Sequence, residues 1–76
     1  MKKKALEEMA GTACQIAFEY PNFDDEYFSD MMVTYEDGSP GFTGSDLQDA
    51  AELARTAKDE GMSYDEAKEY VKKNFK

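Results

Sequence analysis

The sequence predicts one small domain of the α+β class, mostly helical, with an all-α fold as the alternative. Three observations carry that expectation. Apolar residues recur at spacings of three and four along 3–20, 45–60 and 63–75, as on the buried side of a helix. The last two stretches open with Ser-x-x-Gln and Ser-x-x-Glu, the form of a capping box. Between them and the first, Met31-Met32-Val33-Thr34-Tyr35 has strand composition and leads into Asp37-Gly38, a hairpin-type turn.

In the first stretch Leu6, Met9, Ala13, Ile16, Ala17 and Tyr20 form the stripe, and Pro21 stops the helix. Lys2, Lys3 and Lys4 lie at the end where the helix dipole disfavours cations. Gly11 interrupts the helix and implies close packing against a neighbour; Cys14 adjoins the stripe as a small buried hydrophobe. Asn22 can cap a short helix over 23–30, followed by a strand over 31–35 with Met31, Val33 and Tyr35 on one side, then a turn or small hairpin to Gly44. Ser45 with Gln48 is read as the cap of the next helix, whose stripe is Leu47, Ala50, Ala51, Ala54 and Ala57, and Gly61 as its end. Ser63 with Glu66 caps the last helix, Met62 staples onto Ala67, and Tyr64, Ala67, Val71 and Phe75 face the core beside Tyr70. So few residues separate these two helices that they must form a tight corner.

Composition excludes several functions. Seventy-six residues make one domain near the lower size for a single core. A lone cysteine allows no intrachain disulfide, and with no histidine the chain offers neither a structural zinc site nor a Cys–His pair. The lysines after Met1 are followed by Ala5-Leu6-Glu7-Glu8 rather than an apolar leader core, and no run approaches a membrane span, so the expected location is the cytoplasm, or a host's cytoplasm for a phage protein. A net charge of −8 opposes nucleic acid and anionic membranes and favours cationic partners. No cofactor, metal or catalytic residue is expected. Neighbouring carboxylates such as Asp24 and Asp25 could in principle do acid–base work, but nothing marks a desolvated pair, and calcium-loop spacing fails from Asp24 (Phe28 at position 5) and from Asp30 (Met32 at position 3).

The segment from Ala57 to Tyr70 resembles the core of a helix-turn-helix, carried by Ala57, Gly61, Ala67 and Tyr70. The resemblance implies a regulatory or adaptor domain acting through residues 45–75. Yet the helix that would enter the groove begins with Tyr64, Asp65, Glu66 and Glu69, with Lys68 its one base there, and direct nucleic-acid binding is not expected.

Charge is the strongest remaining signal. From Ala5 to Ala54 there is no lysine or arginine, while twelve of the seventeen acids lie there. Aromatics and methionines are interleaved with these acids. A solvated face accounts for part of this; a binding face for a basic, nucleic-acid-binding protein accounts for the one-signed run. On that reading Glu19, Asp24, Asp25, Glu26, Asp30, Glu36 and Asp37 stand in for phosphates, and Tyr27 and Phe28 are anchors. In size, charge and lack of catalytic residues the chain is similar to the small acidic inhibitors of phages and mobile elements. Some of those mimic DNA and block nucleases, restriction enzymes or CRISPR effectors. A third reading is a small subunit that oligomerises through aromatic surface.

Overall fold

A computed structural model of the chain describes residues 2–22, 32–34, 38 and 40–75. Among these are three helices and one antiparallel pair of short strands, in the order α1 (Lys3–Glu19), β1 (Met32–Thr34), β2 (Pro40–Thr43), α2 (Gly44–Asp59) and α3 (Tyr64–Asn74). The fold is therefore mostly helical α+β. The expected short helix over 23–30 and the facing of Met31 and Tyr35 lie outside the described residues.

α1 ends one residue before the expected boundary. Pro21 disfavours helical torsions at the residue before it, and Tyr20 has left the helix at φ −130°, although its N–H still donates to the Ile16 carbonyl oxygen. Its side chain consequently leaves the stripe: Tyr20 is 54% exposed, against the expectation that it packs inward. The rest of the stripe behaves as its spacing requires. Met9, Ala13, Ile16 and Ala17 are buried, joined by Ala5, Ala10 and Cys14, with Leu6 half-buried beside them.

β1 and β2 pair with Met32 opposite Thr43 and Thr34 opposite Pro40, a register carrying one irregularity. Between them Gly38 has φ +82°, the left-handed torsion for which glycine is suited. The strand-to-helix passage has no loop, and this corrects the expected cap. Thr43, the last residue of β2, is the N-cap of α2: its hydroxyl accepts from the Asp46 N–H at 3.2 Å, and the Asp46 carboxylate accepts from the Thr43 N–H at 3.2 Å. Ser45, expected to cap with Gln48, already lies inside the helix, because extended backbone through Thr43 places that hydroxyl first within reach of the free N–H groups.

The corner between α2 and α3 forms as read. Gly61, at φ +89°, donates to the Lys58 carbonyl and Met62 to the Ala57 carbonyl, the paired bonds of a Schellman ending. Ser63 then caps α3 reciprocally with Glu66, through bonds of 3.2 and 3.0 Å. Met62 is half-buried against the core that contains Ala67, consistent with the staple.

α3 runs opposite to α1, since Tyr64 reaches Gly11 and Lys72 reaches Glu7. It also runs opposite to α2, whose Leu53 and Thr56 share a small cleft with Asn74 and Phe75. α1 and α2 thus point the same way, and the hairpin lies on the connection between them. The core is built largely from alanine: Ala10, Ala13 and Ala17 of α1 and Ala50, Ala51, Ala54 and Ala57 of α2 are all buried, around Met9, Leu47, Val71 and Phe42. Such small side chains let helix axes approach closely, so much of the cohesion is dispersion between backbones.

Candidate functional site

Among the described residues, antiparallel packing of α3 on α1 brings bases together at one end of the bundle and acids together at the other. At one end lie Lys2, Lys3 and Lys4 of the α1 start with Lys72 and Lys73 of the α3 end. Lys72 is held there by Glu69 at 3.2 Å and Glu7 at 3.9 Å. At the other end lie the last turn of α1, the last turn of α2 and the first turn of α3. Exposed Glu19, Asp59, Glu60 and Asp65 belong to these three segments.

Three contacts join the acidic pole. The Lys58 ammonium of α2 donates to the Ala17 carbonyl oxygen at 3.1 Å and lies 5.7 Å from the centre of the Phe18 ring. α1 has no basic residue in its own last turn, so α2 supplies the cation that its dipole and a free carbonyl favour. Phe18 meets Tyr64 edge to face with ring centres 5.7 Å apart, and the Tyr64 hydroxyl donates to the Gly11 carbonyl oxygen at 3.0 Å. Burial first, and then the neighbouring Cys14, Glu19 and Asp65, push the Tyr64 phenol above its usual pKa. Glu19 of α1 and Asp65 of α3 therefore act on the same hydroxyl.

Tyr20 and Tyr64, 54% and 40% exposed, are the large hydrophobic residues left in solvent among those described. Both belong to this pole: Tyr20 follows Glu19 directly, and Tyr64 opens α3. Of the expected binding residues, Glu19 is exposed as anticipated. Asp24, Asp25, Glu26, Tyr27, Phe28, Asp30, Glu36 and Asp37 lie outside the described residues. Sequence reasoning assigned Tyr20 and Tyr64 to the core. The available signals were position: Tyr20 immediately before a proline, and Tyr64 at the first helical position, ahead of the buried Ala67 and Val71.

The pole can accept hydrogen bonds from cationic groups and offer tyrosine faces to them, an arrangement suited to arginine and lysine on a partner. Among the described residues no group of three or more His, Cys, Asp or Glu is placed to hold a metal ion, and no helix is long and apolar enough to cross a membrane. Cys14 is fully buried in the helix interface, and burial raises its thiol pKa against the lowering effect of Lys68. Comparison with protein-family models, curated proteins and solved structures finds no match to this chain.

Proposed function

We propose that the chain is a non-enzymatic inhibitor that binds a basic, nucleic-acid-processing protein through an acidic, DNA-mimicking face, as phage- or mobile-element-encoded anti-restriction and anti-CRISPR proteins do. One observation carries the reading: exposed Glu19, Asp59, Glu60 and Asp65 share an end of the bundle with exposed Tyr20 and Tyr64. Lys58, the base among them, is engaged with a backbone carbonyl. Carboxylates would take the place of phosphates, and the tyrosines would anchor the contact.

The alternative, a regulatory domain working through residues 45–75, draws support from the well-formed corner between α2 and α3. Against it, the outward residues at the start of α3 are Asp65, Glu66 and Glu69, which would face phosphate.

The test is affinity capture from a lysate of the source organism or its host, followed by competition with duplex DNA. The captured protein should be basic, and DNA should displace it. Binding should fall steeply with salt, and joint reversal of Asp24, Asp25 and Glu26 to lysine should abolish it while Asp49→Lys on α2 leaves it intact. Full binding by the triple reversal would refute the acidic-face reading. Saturable, salt-sensitive binding of the chain itself to duplex DNA would favour the regulator instead.

A further inference from the structure

A second surface runs along the outside of α3 from Asp65, which it shares with the acidic pole, to the basic end. A shallow, open depression of about 880 Å³ runs there, lined by half-buried Leu6, Met62 and Tyr70, by Lys3 of α1 and by charged residues of α3. The charges on α3 are ordered: Asp65, Glu66 and Glu69 come first, Lys72 and Lys73 last.

We propose that this face binds a second copy of the chain, with the two α3 helices antiparallel about a two-fold axis at Glu69. Antiparallel alignment about that residue sets Asp65 opposite Lys73 of the second copy and Lys73 opposite its Asp65, so each opposite-charge pair is made twice, as an isologous interface requires. Glu69 meets its own equivalent at the axis, where like charges would repel; its carboxylate is already held by Lys72 at 3.2 Å. Acids first and bases last is also the order the helix dipole favours. What singles out the face is that this order coincides with Leu6, Met62 and Tyr70, apolar surface that the fold leaves half-covered and that a second copy would shield.

The interface is small. Eleven helical residues span roughly 16 Å at about 1.5 Å each. A strip of that length across α3 and the start of α1 covers on the order of 300–400 Å² per copy, about half of a standard interface. The net charge of −8 on each copy opposes association further. The dimer is therefore weak and transient, with a dissociation constant on the order of 10–100 μM.

Sedimentation equilibrium from about 10 μM to about 1 mM at physiological salt tests this. The wild type should dimerise reversibly. Asp65→Lys and Lys73→Glu should each weaken self-association roughly tenfold or more, by turning two attractions into two repulsions. An equimolar mixture of these two variants should recover association to within about threefold of wild type, because their reversed charges oppose each other across the axis. Circular dichroism checks that both variants remain helical. If either does not, Asp65→Asn and Lys73→Gln replace them, with a weakening of about threefold expected. A wild type that stays monomeric at the highest concentration overturns the proposal. So do folded single reversals that associate like wild type, or a folded mixture that remains monomeric.

Discussion

The hydroxyl of Tyr64, the first residue of α3, donates to the carbonyl oxygen of Gly11 in the middle of α1 at 3.0 Å. Main-chain carbonyls in mid-helix normally accept only from the residue four positions on. This one takes a second donor, the Tyr64 ring being steadied against Phe18. The contact spans fifty-three residues of sequence and fixes how α3 lies on α1.

Tyr64→Phe should keep the ring contact and lose the hydrogen bond, lowering stability by about 0.5–1 kcal/mol, the low end for a partly exposed bond. Tyr64→Ala should lose roughly a further 1 kcal/mol with the aromatic pair. The pair also has a pH signature. The folded phenol ionises above its usual value, so its contribution is fully present below the unfolded tyrosine pKa and is lost as pH rises through the higher folded value. Denaturant unfolding of wild type and Tyr64→Phe across the alkaline range should show a larger loss in the wild type, since the variant keeps only the loss that the raised Cys14 thiol causes. Parallel curves would refute it.

Gly11→Ala should stabilise the protein by about 0.5–1 kcal/mol. A methyl group there would sit 3.8 Å from Lys68 Cε, ordinary van der Waals contact with the mobile end of a long side chain. The close packing expected at Gly11 is therefore not found, and alanine is not excluded. For a domain this size the gain corresponds to a rise in Tm of roughly 2–8 °C, readable by thermal melting. A fall in Tm would mean that the Tyr64 bond is displaced.

The caps give a discriminating series. Thr43→Ala and Ser63→Ala should each cost about 1 kcal/mol, whereas Ser45→Ala should change stability by less than about 0.5 kcal/mol. Equal losses at positions 43 and 45 would contradict the observed start of α2. Acid titration adds a check at α3. The Ser63 backbone N–H, and then its hydroxyl, hold the Glu66 carboxyl below the usual glutamate value. The stability from that bond is present above the unfolded glutamate pKa, about 4.3, and is lost as pH falls through the lower folded value. Glu66→Gln should remove this part of the acid dependence.

Cys14 should resist thiol reagents in the native state. Its side chain is fully buried and its thiol is held in the neutral form by burial. Labelling at mildly alkaline pH should follow the unfolding equilibrium, accelerating with denaturant. Immediate stoichiometric labelling of the folded protein would show that α1 and α2 do not pack as described.

Much of the architecture was legible because it rests on local chemistry. Period and caps mark the helices: the buried run from Leu47 to Ala57, the Schellman ending at Gly61 and the Ser63–Glu66 box all depend on residues within a few positions of each other. Asp37-Gly38 marked a turn for the same reason, since few residues besides glycine accept the torsion found at Gly38. The start of α2 was missed because two hydroxyls, Thr43 and Ser45, compete for the same free N–H groups. Which one wins depends on where the strand stops, and the strand is set by pairing with β1.

The candidate site depended least on local pattern. Acid content and the absence of bases from 5 to 54 are properties of the sequence, and so is the expectation of a cationic partner. Which acids share a surface is a property of packing. Glu19 and Asp65 are forty-six positions apart and both bear electrostatically on Tyr64 only because α3 doubles back along α1. Tyr20 and Tyr64 both fit an apolar stripe by spacing, and only the tertiary structure leaves them in solvent. Proline turns the chain out of α1 at Tyr20, and Tyr64 lies at the tip of α3, beyond the reach of the alanine core. Periodicity determines which side of a helix faces inward; where the neighbouring helix ends determines which residues of that side it covers.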